Sequence, residues 1–180
     1  IDGEAGTTGL KVAERLQAHP YASILQIEAS HRKDNSARAD MMAASDITIL
    51  CLPDAAAIDA VRLAAVSQTR LIDASSAHRT NPEWVYGFAE LQPGQRDSIA
   101  AAGLIANPGC YPTGFLALAR PLINSGMLSD QSLLSIHAVS GYSGGGKSMI
   151  ESRNAGDHSP AFSYGNNLQH KHLGEMTKYS

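Results

Sequence analysis

The sequence predicts an α/β fold built on a parallel sheet. Three observations carry that prediction. Strand-like and helix-like segments alternate through the first half of the chain. Ile47-Thr48-Ile49-Leu50-Cys51-Leu52 is a short, nearly all-apolar run, as expected of a parallel strand buried on both faces. A glycine-rich turn joins a strand stub to a helix at the very start.

In order, Ile1-Asp2 reads as the end of a strand, and Thr8 to Ala18 as a helix with Leu10, Ala13 and Leu16 on one side. Ile24 to Ala29 reads as a strand, Ser36 to Ala44 as a helix, and residues 47–52 as the buried strand, which Pro53 ends. An alanine-rich helix follows from Ala55 to Val66, then a short strand, Arg70-Leu71-Ile72-Asp73. Beyond Ser75 the rhythm loosens into an irregular aromatic stretch holding Pro82, Trp84, Tyr86, Gly87 and Phe88. Gln95 to Ala102 is read as a helix, and Gly103 to Ala106 as a short apolar run. Phe115 to Ile123 is a helix with Gly126 as its stop signal. Leu133 to Val139 alternates as a strand, and the chain is then rich in Gly, Ser, Asn and His. A boundary is expected near Cys110, with a nucleotide-binding part before it.

The 180 residues are 43% hydrophobic and 17% charged with a net charge of −3, a globular profile without a basic surface for nucleic acid or membrane. Two cysteines, Cys51 and Cys110, make neither a disulfide framework nor a metal spacing. A reducing, cytoplasmic setting is the expectation. No apolar run is long enough to span a bilayer, and no signal or transit segment is visible. The chain opens on Ile1-Asp2-Gly3 without an initiator Met and stops at Lys178-Tyr179-Ser180 inside a structured pattern, so a fragment of a longer protein is expected.

The richest chemistry lies in Asn107-Pro108-Gly109-Cys110-Tyr111-Pro112-Thr113-Gly114. Pro108 and Gly109 turn the chain just before the sulfur, and Pro112 suits a first helical turn. A helix N-terminus carries unpaired N–H groups and partial positive charge, which favour the thiolate, the nucleophilic form. Two prolines and two glycines around one sulfur set this reading ahead of an ordinary core cysteine.

Gly3-Glu4-Ala5-Gly6-Thr7-Thr8-Gly9 has the spacing G-x-x-G-x-x-G in a strand–turn–helix context, where backbone can approach a pyrophosphate. It departs from G-x-G-x-x-G, and an ordinary βα turn is the alternative. Ser30-His31-Arg32-Lys33 after the second expected strand offers hydroxyl and cationic groups where an NAD-binding fold places an acid. That suits the 2′-phosphate of NADP, against a solvated basic loop at even odds.

Gly141-Tyr142-Ser143-Gly144-Gly145-Gly146-Lys147-Ser148 satisfies the P-loop expression, so an NTPase or kinase is the rival function. The helix expected after it is short and poor, and no apolar strand ending in Asp follows to hold magnesium. His170 and His172 stand two apart, which puts them on different faces if the segment is extended, and a polar helix start on the surface is the favoured reading of the His170–Glu175 cluster. His137 within its strand and Cys51 within the apolar run read as structural.

The run at 107–113 resembles the active-site signature of the N-acetyl-γ-glutamyl-phosphate reductases of arginine biosynthesis, in their shorter bacterial form. The resemblance extends to residues 2–9, 50–54, 72–79, 140–147 and 170–172. It implies a Rossmann NADP-binding domain over 1–109 and, over 110–180, a truncated α/β domain of the glyceraldehyde-3-phosphate and aspartate-semialdehyde dehydrogenase type that also serves a homo-oligomer interface. It implies cofactor contacts from Gly3, Ala5, Gly6, Thr7, Thr8, Gly9, Ser30, His31, Arg32, Lys33, Cys51, Leu52, Pro53 and Ser75. Substrate and phosphate contacts fall to Asn107, Arg79, Ser140, Gly141, Ser143, Gly144 and Lys147.

The implied reaction is NADPH-dependent reduction of a small acyl phosphate, N-acetyl-γ-glutamyl phosphate, through a thioester on Cys110. His172 would act as acid and base, with Glu175 or His170 orienting it. Gly174 stands where the family has proline, which loosens the start of the following helix and leaves the placement of Glu175 open. An aspartate-semialdehyde dehydrogenase-like reductase, the P-loop enzyme and a non-catalytic NADP-binding module are the alternatives.

Overall fold

The computed structural model describes every residue except Ala5, Asp157, His158 and Pro160, and leaves the side chain of Thr7 aside. The chain divides into two compact units, Ile1–Pro108 and Gly109–Ser180.

The first unit is a parallel sheet with helices. Its strands are β1 (Ile47–Leu50), β2 (Arg70–Asp73), β3 (Val85–Tyr86) and β4 (Leu104–Ala106), in the order β1-β2-β4-β3. All pairs are parallel, with Leu50 opposite Asp73 and Asp73 opposite Ala106. Asp2 adds a parallel bridge to Leu50: its N–H donates to Ile49 O at 2.9 Å and its carbonyl accepts from Cys51 N–H at 2.8 Å. The strand stub read at Ile1-Asp2 is therefore in place.

Helix α1 (Thr7–Gln17) follows the glycine turn. Helix α2 (Asn35–Ala43) starts where Asp34 Oδ1 accepts the Ser36 N–H at 2.8 Å, a side-chain cap. Helix α3 (Asp54–Ala64) buries Ala57, Ala60 and Ala64, small residues on one face that let the helix lie close to its neighbours. Helix α4 (Gln95–Ala101) precedes β4. Met42, Leu50, Ala60, Ala64, Leu71, Trp84 and Ala106 form the apolar core. Beside it lies a polar knot. Asp73, fully buried at the end of β2, accepts from Ser75 N–H (2.9 Å) and Ser75 Oγ (2.6 Å) and pairs with His78 Nδ1 at 2.6 Å. The His78 ring stacks on Trp84 with centroids 4.2 Å apart.

The second unit holds α5 (Cys110–Asn124), α6 (Lys147–Asn154) and α7 (Leu173–Tyr179). Its buried apolar residues are few: Pro112, Leu116, Ala119 and Met176.

Two expected strands are absent and one unexpected strand is present. Residues 24–29 form no strand. In a doubly wound sheet the second strand pairs with the first, and here the first is the single bridge at Asp2, so those backbone groups have no edge to join. Residues 133–139 form no strand either, because no neighbouring strand is present among the described residues of that unit to satisfy their N–H and C=O groups; Leu133 and Val139 are fully exposed. Within the aromatic stretch, Val85–Tyr86 pairs with β4, extended by the Gly87 N–H donating to Ala106 O at 2.9 Å.

Gly9 is packed against the glycine turn. A Cβ there would stand 2.4 Å from Gly3 O and 2.6 Å from Glu4 Cα, whereas one on Gly103 would meet nothing within 4 Å. Gly9→Ala is therefore expected to lose about 3 kcal/mol or more in urea unfolding, and Gly103→Ala to lose under ~1 kcal/mol. Equal midpoints for the two variants would refute the packing argument.

Candidate active site

The site in the second unit is built on the start of α5, five residues before the helix read from the sequence. Cys110 is its first residue and is exposed. Gly109, the N-cap, is extended (φ −67°, ψ 151°) and brings no capping side chain. The first helical bond runs from Thr113 N–H to Gly109 O at 3.0 Å, reinforced by Thr113 Oγ1 at 2.9 Å. Pro112 has no N–H to offer. The Gly109 N–H donates to Glu175 Oε2 at 2.9 Å. That leaves the N–H groups of Cys110 and Tyr111 as the orphan donors at the helix opening, beside the sulfur.

Glu175 and His172 come from α7 and its cap, and both are buried, at 1% and 6% exposure. The segment is not extended. Leu173 N–H donates to His170 O at 3.0 Å, and His172 takes a helical conformation (φ −79°, ψ −13°). The helix thus begins at Leu173 with Gly174 inside it, and Glu175 is firmly placed. The His170 and His172 rings come together, centroids 4.6 Å apart, and His172 N–H donates to His170 Nδ1 at 3.2 Å. The cluster is a helix start as expected, but the surface placement and the opposite faces are corrected: the turn brings the two rings together, and His172 and Glu175 are buried.

Tyr111 joins the cysteine to this cluster. Its ring lies 5.9 Å from His172 and 6.1 Å from His170. Its hydroxyl makes a short hydrogen bond with that of Tyr164. Neither tyrosine carries a signal of its own in the sequence beyond the place of Tyr111 next to Cys110. Half of Tyr164 is exposed, yet desolvation on its packed side, then its hydrogen bond and charge interaction with Tyr111, then Cys110, push its phenol up to about 12. His137 lies in no strand but lines, with Cys110, Tyr111 and Leu118, an open hollow of about 500 Å³.

Of the other residues read as substrate contacts in this unit, Ser140, Gly141, Ser143, Gly144 and Lys147 are all exposed. A one-turn 3₁₀ helix, Tyr142–Gly145, leads into α6, and Lys147 stands 3.6 Å from Glu151 in a surface ion pair. Gly144 passes so close to Ser140 that a Cβ would sit 2.8 Å from its Oγ.

In the first unit the glycine turn fits a pyrophosphate. Gly6 N–H closes it on Gly3 O at 3.0 Å, and Gly6 caps α1 with no side chain and no acid in the first turn. Gly3 has φ +86°, and a Cβ on it would stand 2.3 Å from Cys51 O, so only glycine lets the turn pass there. Thr8 is exposed; Ala5 and the Thr7 side chain lie outside the described residues. Cys51 is half-buried just past β1, and burial first, with the Asp2 and Asp73 carboxylates, pushes its thiol up. Leu52 is half-buried, and Pro53 caps α3.

Ser30, His31, Arg32 and Lys33 are exposed around a 3₁₀ turn, Ala29–His31. Ser75 is buried, its hydroxyl donating to Asp73 and accepting Ala77 N–H at 3.2 Å. Arg79 is buried and donates to Ala74 O at 3.0 Å. Asn107 is exposed and its amide reaches Pro108 O at 3.2 Å. Among the described residues no group of three or more His, Cys, Asp or Glu is placed to hold a metal, and no helix is long and apolar enough to cross a membrane.

Residues 1–100 match the semialdehyde dehydrogenase NAD-binding domain, and residues 110–180 match the semialdehyde dehydrogenase dimerisation domain. The chain belongs to the semialdehyde dehydrogenase family. It is 50% identical over its full length to an N-acetyl-γ-glutamyl-phosphate reductase of Trichormus variabilis, and 50% identical over 98% of its length to one of Brucella ovis. It spans 58% and 59% of the lengths of those relatives. A solved aspartate semialdehyde dehydrogenase II of Vibrio cholerae overlaps 47% of this chain and 28% of its own, at 19% identity and a TM-score of 0.40, too slight an overlap to carry an argument. Family membership accounts for the parallel sheet and the glycine turn together.

The tyrosine pair makes a pH prediction. Tyr164 stays protonated up to about 12 in the folded protein, against about 10 in an unfolded chain. The folded state holds the proton more tightly, so the stability it contributes is lost as pH rises from about 10 towards 12. Tyrosinate absorbance should show a step near pH 12 that is missing in Tyr164→Phe. A single step near pH 10 for every tyrosine would contradict the pairing.

Proposed function

We propose that this chain is the NADP-binding and nucleophile-bearing portion of an N-acetyl-γ-glutamyl-phosphate reductase, with residues 1–109 binding the cofactor and 110–180 carrying the chemistry. The observation that carries the reading is Cys110 at the open start of α5, held by Glu175 and grouped through Tyr111 with His172. The identity to two reductases at 50% supports the acyl substrate over that of an aspartate-semialdehyde dehydrogenase. The dimerisation-domain match supports a homo-oligomer. A biosynthetic enzyme of this kind works in the cytoplasm, and small molecules, not nucleic acid or membrane, are its partners.

In the reaction Cys110 Sγ attacks the acyl carbonyl carbon, the C–O bond to phosphate breaks, and the leaving phosphate takes the electron pair, leaving a thioester. The N–H groups of Cys110 and Tyr111 face the oxygen that becomes negative as the carbonyl turns tetrahedral. His172 takes the thiol proton and returns a proton to the oxyanion chemistry of the second half, with His170 packed against its ring. Bound NADPH would supply the hydride for the thioester carbonyl. Collapse of the thiohemiacetal on Cys110 releases the semialdehyde and restores the thiolate. Departing phosphate needs cations and donors, which the Ser140–Lys147 loop offers within the second unit. Gly3, Gly6 and Gly9 would give backbone approach to the pyrophosphate, with residues 51–53 and Ser75 as further contacts, and Ser30 to Lys33 would hold the 2′-phosphate.

The test runs the full-length enzyme in reverse, with N-acetylglutamate semialdehyde, phosphate and NADP, and follows NADPH. Cys110→Ser should bind NADP normally and form no NADPH. His172→Ala should lower kcat by about a hundredfold or more with little change in KM. Turnover at the normal rate in either variant would remove that residue from the mechanism, and ATP hydrolysis without NADP would favour the P-loop reading. Arg32→Ala with Lys33→Ala should raise KM for NADP about tenfold or more and leave NAD unchanged, in line with loss of charge-assisted phosphate contacts.

A further inference from the structure

Resting on that reading of Cys110, we infer that Glu175 is a positioning residue for the nucleophile's backbone. Its carboxylate is 1% exposed, and Oε2 accepts the Gly109 N–H at 2.9 Å across 66 residues of sequence. Gly109 is the N-cap of α5, and its carbonyl is held from the other side by Thr113 N–H and Oγ1. The peptide unit before Cys110 is thus pinned through its N–H by one helix and the next unit through its C=O by another. The N–H vectors of Cys110 and Tyr111 inherit that orientation, so the donors meant for an oxyanion are aimed by Glu175.

The same contact withdraws the Gly109 N–H from substrate, which confines the oxyanion donors to Cys110 and Tyr111. The carboxylate sits at the positive end of α5, where a buried anion is best tolerated. Arg120 completes the arrangement. Its Nη1 donates to Ser180 O at 2.6 Å, so α7 is tied to α5 at its last turn as well as through Glu175.

What matters in this role is an acceptor atom at full side-chain reach, and not the charge. Glu175→Gln keeps an oxygen at that reach without charge. Glu175→Asp keeps the charge and withdraws the oxygen by one methylene. In the full-length enzyme, Glu175→Gln is expected to hold kcat within about threefold of wild type, and Glu175→Asp to lose at least about tenfold, an order set by misaligned oxyanion donors. KM for NADP should be unchanged in both, with thermal unfolding confirming that both are folded. Hydrogen exchange of the peptide spanning 107–113 should quicken in Glu175→Asp and keep its wild-type rate in Glu175→Gln. Glu175→Gln failing as badly as Glu175→Asp, Glu175→Asp retaining full kcat, or wild-type exchange in Glu175→Asp would each overturn the inference. The exchange measurement needs no substrate, so it reads the clamp even where the reductase assay itself gives no turnover.

Discussion

The chemistry proposed for this chain depends on one buried hydrogen bond, from the Gly109 N–H to the Glu175 carboxylate. Placing a carboxylate at 1% exposure is unfavourable unless donors or positive potential meet it. Here both do: an N–H at hydrogen-bond distance and the N-terminal end of a 15-residue helix. The bond in turn fixes the α7 segment whose cap is His172. The turn before Cys110 and the segment capped by His172 therefore share one anchor.

Both turns proposed as functional lie at helix starts whose N-cap is glycine. Gly6 caps α1 and Gly109 caps α5 without a side-chain hydrogen bond, while α2 is closed by its own Asp34. A capped start such as α2 has spent an orphan donor internally. An uncapped one keeps its N–H groups for an anion that arrives from outside. In the first unit the close passes of Gly3 and Gly9 shape that opening for a pyrophosphate. In the second, Pro112 and Glu175 remove competing donors, so the two that remain flank the sulfur.

Most of the first unit was legible in the sequence because its signals are local: an apolar run, an alanine stripe, a glycine turn. The elements misread there depended on partners. Residues 24–29 have strand composition, but strand formation needs an edge, and composition cannot show whether one exists. Residues 133–139 failed for the same reason. In the site, Cys110 was legible from its own neighbours. Glu175 is named through the family resemblance, but its bond to the Gly109 N–H is not legible, since that partner lies 66 residues away. The histidine pair was misjudged through one assumption, an extended backbone; a single helical residue at His172 turns i and i+2 rings from opposite faces into contact. The Asp73–Ser75–His78 knot escaped because each member reads alone as an ordinary loop or strand end.

The two units are held together internally by different means, and the difference bears on function. The first has an apolar core running from Met42 to Ala106. The second buries little beyond Pro112, Leu116, Ala119 and Met176, while Leu118 and Met127 stand 75% and 77% exposed. Hydrophobic contact is non-directional and by itself leaves a helix free to slide along its neighbour. Hydrogen bonds to specific atoms do not. Glu175 on Gly109 and Arg120 on Ser180 fix both the register and the rotation of α7 against α5. Where the proposed chemistry needs an oxyanion donor held in one direction, these polar ties set a direction that apolar contact alone does not.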